Sequence, residues 1–214
     1  MSRLIFPPVS VADESGLIGI GGEATIENLL QAYRLGIFPW PWSDEYLAWF
    51  SPPLRGVLFF DAFHVGRSLK KFLSRNPYEF AINKNFSSVI QACAEATNRK
   101  KQKGTWITSE MVNSYIALHE AGFATSYESY LDGNLVGGLY GVRINGYFSG
   151  ESMFYSEENA SKAALVFAVS HLQSEGLTWM DCQVITDTTK QFGASEIKRD
   201  LFIKLLNHSI NFTS

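Results

Sequence analysis

Residues 126–154 read SYESYLDGNLVGGLYGVRINGYFSGESMF, and the turn signals inside this stretch set the fold class. Asp132-Gly133 and Asn145-Gly146 are hairpin dipeptides, because Asp, Asn and Gly accept the positive φ that tight hairpin turns require. Each is flanked by strand-forming runs rich in Tyr, Leu, Val and Phe. A three-stranded antiparallel meander is therefore expected. Its last strand, Tyr147 to Phe154, places a carboxylate, Glu151, where a buried strand should be apolar. A second short stretch, Trp179 to Ile185 (WMDCQVI), does the same with Asp181 and Gln183. Residues two apart in a strand share a face about 7 Å from each other, so Asp181 and Gln183 are expected to point the same way. Polar groups in core-like strands are costly unless partnered. The pairing of these two strands is the expected seat of the chemistry.

The meander is followed by a predicted helix over Asn159–Ser174, with Ala164, Leu165, Phe167, Ala168 and Leu172 on its apolar side. Then come the WMDCQVI strand, a short helix around Thr188–Phe192, and a strand or helix near Leu201–Leu206. Upstream, Gly56–Phe60 (GVLFF) reads as a strand, and His64–Ser74, Phe86–Glu95 and Glu110–Ala121 read as helices, the last closed by Gly122. Residues 1 to about 57 form a distinct N-terminal piece. In it Thr25 is a plausible helix N-cap, and Leu29, Leu30, Tyr33 and Ile37 follow with roughly helical spacing. Gly19, Gly21 and Gly22 lack the context of a dinucleotide fingerprint and read as a turn. The stretch FPWPWSDEYLAWFSPPLRG carries Trp40, Trp42, Trp49 and Phe50 among four prolines, which predicts an irregular, non-helical path. It is either an aromatic lid packed on the core or a stacking platform, since tryptophan faces accept nucleobases.

At 214 residues, 46% hydrophobic and 18% charged, the chain is expected to be globular, with no run approaching the ~18 apolar residues of a membrane span. The N-terminus lacks a signal-peptide pattern, and Cys93 and Cys182 have no metal-ligand spacing and read as reduced thiols. Cytoplasmic placement is the expectation. Net charge is −3, but Arg67, Lys70, Lys71 and Arg75 recur on one helix face, and Arg99, Lys100, Lys101 and Lys103 crowd a loop. Such a face is either a solvated surface or a phosphate-facing stripe. The four histidines are scattered, which leaves metal hydrolysis without a ligand set, and Cys182 has no neighbouring histidine to activate it.

Meander, helix, strand, helix, strand is the order of the acetyltransferase (GNAT) sheet. The fold class expected is α+β: a small N-terminal domain (1–57) and a GNAT-like domain (58–214) with a mixed, mainly antiparallel sheet. A CoA-dependent enzyme of that type uses a glycine-rich turn to cradle pyrophosphate at a helix start. The corresponding segment here, Ser156 to Ser161, has no glycine and two acids, which disfavours acetyl-CoA.

Seven motifs in order, GIFPW (36–40), SPP-x-R (51–55), GTWIT (104–108), VGG-x-YG (136–141), GESMF (150–154), ENASK (158–162) and DCQV (181–184), resemble those of the leucyl/phenylalanyl-tRNA–protein transferases. The resemblance implies transfer of leucine, phenylalanine or in some members methionine from aminoacyl-tRNA to an N-terminal Arg or Lys of a protein. The product is marked for N-end rule degradation. It implies no cofactor and no metal, and the chain is expected to act as a monomer. Carried over by motif, Trp40 and Trp106 bracket the terminal adenosine, and Glu151 holds the reacting centre. Asp181 orients Gln183, a pair that assists proton removal from the attacking amine. Phe148, Met153, Leu165, Phe167 and Met180 line the aminoacyl pocket, with Leu139 where family members often carry Met. Arg67, Lys70, Lys71 and Arg75 would grip acceptor-stem phosphates, and Glu151 or Glu157 would receive the cationic acceptor terminus. Thr188, Gln191, Phe192 and Lys198 depart from the family pattern, on what the resemblance implies is the acceptor side. Two further readings stay open: a CoA-dependent acyltransferase, and a non-catalytic tRNA or N-degron binding protein.

Overall fold

A computed structural model describes residues 3–42, 46–96 and 107–211. The N-terminal part comprises β1 (Leu17–Ile20), α1 (Ile26–Arg34), β2 (Phe38–Pro41) and β3 (Leu47–Phe50), and its strands form an antiparallel sheet in the order β1-β3-β2. Two expectations are revised here. Part of the glycine-rich stretch expected as a turn is β1, and the proline-rich aromatic stretch is regular over β2 and β3. Prolines are tolerated because this is a small sheet with edges on which a missing N–H is not needed. Thr25 caps α1 as the sequence suggested, its hydroxyl accepting from the Asn28 amide.

The rest of the chain runs β4 (Leu54–Phe59), α2 (Arg67–Leu73), β5 (Glu79–Ile82), α3 (Phe86–Glu95), α4 (Ser109–Glu120), β6 (Ala124–Leu131), β7 (Asn134–Ile144), β8 (Tyr147–Tyr155), α5 (Ala160–Ser174), β9 (Trp179–Gln183), α6 (Asp187–Gln191), β10 (Ser195–Lys198) and α7 (Arg199–Ile210). These strands make one seven-stranded sheet in the order β10-β4-β9-β8-β7-β6-β5. Every neighbouring pair is antiparallel except β8 and β9. Parallel strands need a crossover, and α5 provides it. The meander is β6-β7-β8, and at its first hairpin Asp132 and Gly133 take φ of 50° and 78°. β5 and β10, short strands at the two ends of the sheet, were not anticipated, and the ambiguous C-terminal segment is helical.

Alternation along the strands divides the core. Tyr140, Tyr147 and Trp179 face one side, where α1, α3, α4 and α7 contribute Leu29, Tyr33, Ile90, Tyr115 and Phe202. Leu139, Phe148 and Met180 face the other, against Leu165, Ala168 and Leu172 of α5. Gly137 lets β7 approach α5, since a Cβ there would lie 2.5 Å from that of Ala160.

Strand register is interrupted on both sides of the β8–β9 junction. Tyr140 pairs with Ser152 but Gly141 pairs with Gly150, so Glu151 is the extra residue of a bulge in β8. Gly56 pairs with Gln183 and Val57 with Asp181, so Cys182 is the extra residue in β9. Bulges bend a strand and re-aim its side chains.

Candidate functional site

The two bulges lie on adjacent strands, joined in parallel register at Ser149 and Asp181. Asp181, fully buried, is closed in by four donors. Arg55 binds it bidentately, Nε to Oδ1 at 2.9 Å and Nη2 to Oδ2 at 2.6 Å. The Tyr147 hydroxyl donates to Oδ2 at 2.6 Å, and the Gln183 backbone amide donates to Oδ1 at 2.8 Å. An ionised carboxylate offers about four acceptor positions, and here all are used. Arg55 is itself 1% exposed. It donates to the Gly36 carbonyl and sits 4.7 Å and 4.4 Å from the Phe38 and Phe202 ring centres. Burial, the largest single influence, lowers the guanidinium pKa, but the Asp181 charge and hydrogen bonds together with Tyr147 outweigh it and the value lies above the ordinary one.

Gln183 takes φ 58°, a left-handed backbone that a non-glycine residue holds only under constraint. The constraint is its N–H bond to Asp181. Simple alternation of a strand therefore does not describe the pair: Asp181 fixes Gln183 through the backbone, and the turned backbone throws the side chain sideways to β8. There Nε2 donates to Glu151 Oε1 at 2.9 Å and to Ser149 Oγ at 3.3 Å. The carboxylate faces the NH2 end, and among the described residues no donor is found for Gln183 Oε1.

Glu151 also accepts from Ser149 Oγ at 3.0 Å and from the Tyr115 hydroxyl at 3.3 Å. Tyr115 and Tyr33 hydroxyls are 2.5 Å apart. Burial pushes the Glu151 carboxyl up to about 7; bonds from Tyr33, Gln183 and Ser149 hold it back, and the Asp181 charge adds to the rise. Unlike Asp181, Glu151 is only partly buried. Burial, then the Glu151 charge, keeps the Tyr33 and Tyr115 phenols well above their ordinary values, so both remain donors. Burial also raises the Cys182 thiol far from any nucleophilic range. Among the described residues no cluster of His, Cys, Asp and Glu could hold a metal ion, and no helix is long and apolar enough to cross a membrane.

On the α5 face of the sheet, Leu139, Phe148, Leu165 and Met180 are buried in one cluster, with Met153 and Phe167 partly buried against it. Phe148 and Met153 bracket Glu151 on β8, and Gly150 makes room beside it, where a Cβ would be 2.9 Å from Met180 Cε. Trp40, on β2, is half-buried against the other cluster. Trp106 and the basic loop at 99–103 lie outside the described residues. Arg67, Lys70 and Lys71 on α2 and Arg75 just beyond it all lie exposed at the surface. The helix packs through Leu69 on the α5-side core, and through Phe72 and Leu73 beside Ala160 at the start of α5. The stripe and the apolar cluster therefore share one side of the sheet.

The residues that sequence reasoning missed are the supports: Arg55, Tyr147, Ser149, Tyr33 and Tyr115. Arg55 had a signal, a lone cation opening the apolar strand LRGVLFF, as anomalous as the acid in WMDCQVI that it neutralises. Tyr33 and Tyr115 gave none, because at helical apolar positions they read as core.

Comparison with known proteins gives a consistent result. A family model described as leucyl/phenylalanyl-tRNA protein transferase matches residues 57–207, and one for the N-terminal domain of the same transferase matches 22–53. A leucyl/phenylalanyl-tRNA–protein transferase of Syntrophus aciditrophicus is 46% identical over 207 residues, 97% of this chain and 86% of the relative. The protein of that name from Syntrophotalea carbinolica is 45% identical over 209 residues, 98% of this chain and 90% of the relative. Among solved structures, a GCN5-related N-acetyltransferase-like protein from Streptococcus suis covers 68% of this chain and 60% of its own, at 14% identity and a TM-score of 0.38.

Proposed function

Because the chain belongs to the leucyl/phenylalanyl-tRNA protein transferase family, we propose that it moves leucine or phenylalanine from aminoacyl-tRNA to the α-amine of a protein whose first residue is Arg or Lys. It does so in the cytoplasm, as a monomer, without metal or cofactor. The observation that carries this reading is the Gln183–Glu151 contact between two strand bulges, on strands that also supply Phe148, Met153 and Met180 to the apolar cluster we assign to the leucine or phenylalanine side chain. The aminoacyl ester is already activated, so positioning supplies much of the rate. Leu139, Phe148, Met153, Leu165, Phe167 and Met180 hold the apolar side chain. Trp40, with Trp106, stacks the terminal adenosine. Arg67, Lys70, Lys71 and Arg75 bind acceptor-stem phosphate. Gln183, fixed by Asp181, presents Oε1 to an N–H of the attacking amine. The chain divides near residue 57 into a small unit bearing Trp40 and a larger one bearing the pocket.

A CoA thioester is the poorer donor, since α5 starts beside the exposed acids Glu157 and Glu158, which repel a pyrophosphate. The test is a mass-shift assay with Leu-tRNA or Phe-tRNA and a peptide beginning with Arg, run in parallel with acetyl-CoA. A gain of one leucine or phenylalanine residue is expected. An acetyl gain alone, or salt-sensitive tRNA binding without transfer, would move the assignment to the acetyltransferase or to a binding protein.

A further inference from the structure

Resting on the transferase reading, we propose that Glu151 is the group that takes the proton from the attacking α-amine and hands it to the departing ribose oxygen, with Tyr115 and Tyr33 as its positioning residues. The alternative acceptor, Asp181, is closed to substrate: it is fully buried and its oxygens already receive Arg55, Tyr147 and the Gln183 amide. An amide such as Gln183 has no useful basicity. Glu151 is the remaining carboxylate at this junction, and it is only partly buried. The bulge that makes it the unopposed residue of β8 turns it to the Gln183 amide. An amine donating one N–H to Gln183 Oε1 is thereby brought next to the Glu151 carboxylate.

The step balances without any further reactant. The amine nitrogen bonds to the ester carbonyl carbon, and its proton passes to Glu151. The carbon–oxygen bond to the ribose then breaks, and Glu151 returns the proton to that oxygen, leaving an amide and a free ribose hydroxyl. An amine that arrives as the ammonium first loses one proton to water. The titratable groups facing Glu151 are Tyr33 from α1, Tyr115 from α4 and Asp181 from β9, with Ser149 and Gln183 as non-titrating donors. Burial among them sets the carboxyl at about 7, close to the operating pH, where a base both exists deprotonated and has driving force.

The experiment is the pH dependence of kcat/KM with Phe-tRNA and an Arg-initiated peptide. Two groups must lose a proton, the amine with a pKa of about 8 and Glu151, so log kcat/KM rises with a slope approaching two under acid conditions. In Glu151→Gln the slope falls to one and the plateau drops roughly 10²–10⁴-fold, while Phe-tRNA binding is retained. Tyr115→Phe removes a bond that favours the carboxylate, and shifts the Glu151 limb to higher pH, a displacement that a merely structural tyrosine would not cause. Infrared difference spectra provide a reading without turnover: a protonated-carboxyl band that titrates near neutrality and is missing in Glu151→Gln. A wild-type slope of one, or a glutamine variant with an unchanged plateau, overturns the assignment and leaves the transferase reading standing. A wild-type chain that transfers no amino acid overturns both.

Discussion

Replacing Arg55 by methionine keeps most of the side chain's length between Phe38 and Phe202 but removes the charge that holds Asp181. The pair is 1% and 0% exposed, so the orphaned carboxylate has no access to water. Breaking a buried pair from one side costs about 3–5 kcal/mol. In a chain of this size each kcal/mol lowers Tm by about 2–4 °C, so Arg55→Met should melt roughly 6–20 °C below the parent. The informative comparison is with the double variant, Arg55→Met with Asp181→Leu. It buries no unpaired charge, although the Tyr147 hydroxyl and the Gln183 amide are left without their acceptor at about 1–3 kcal/mol each. The two substitutions should therefore couple favourably, with a double-mutant deficit about 2–3 kcal/mol smaller than the sum of the singles. Urea unfolding followed by tryptophan fluorescence measures all four corners of the cycle. Additivity within about 0.5 kcal/mol, or a single Arg55→Met change costing under about 1 kcal/mol, would mean that the ion pair does not hold the site together.

Glu151 makes stability fall with pH: its folded-state value is raised from 4.5 to about 7, so the folded state holds an extra proton between those limits, and up to about 3 kcal/mol present below pH 4.5 is lost as pH rises through 7. Denaturation of Glu151→Gln across that window should lack this slope. Lys70→Ala and Lys71→Ala should each weaken tRNA binding across sequences and reduce the slope of log K against log salt by about 0.7–0.9 per lost phosphate contact, read by filter binding at several salt concentrations; unchanged slopes would return the stripe to an ordinary solvated face. Gly137→Ala would set a methyl 2.5 Å from Ala160 Cβ and 2.7 Å from its carbonyl carbon, so α5 must shift off β7 and calorimetry should show a loss of about 1–3 kcal/mol.

Much of the fold was readable from local chemistry. The two hairpin dipeptides placed β6, β7 and β8, and apolar spacing placed α1, with Thr25 as its cap. β5 escaped notice because EFAI is too short for its alternation to stand out, and it exists by pairing with β6. β10 is likewise made by its neighbour, β4. The proline-rich segment misled because proline's preferences are local, whereas β2 and β3 are held by pairing with each other and with β1. At the site, Glu151, Asp181 and Gln183 were legible as polar residues in apolar strands. Their mode of contact was not, because bulges depend on how two strands register, and the positive φ of Gln183 depends on a hydrogen bond that forms only once Asp181 is locked.

An acid in an apolar strand is a weak signal until its surroundings are known, and the sheet contains the comparison that makes this plain. Glu128 in β6 is as anomalous in sequence as Glu151 in β8. It is fully buried, and Ser126 Oγ, the Tyr130 hydroxyl and the Asn85 amide close around it at 2.7–2.9 Å. Asn85 is also the N-cap of α3, so Glu128 ties that helix to the sheet. Glu151 accepts bonds from the same kinds of donor but is left partly open by a bulge. Asp181 belongs with Glu128: its four donors make it a brace, and one of them, the Gln183 amide, belongs to the backbone that carries the Gln183 side chain to Glu151. Three carboxylates in one sheet thus divide by burial, Asp181 and Glu128 fully enclosed and Glu151 only partly so, at the residue that strand register leaves unopposed in β8.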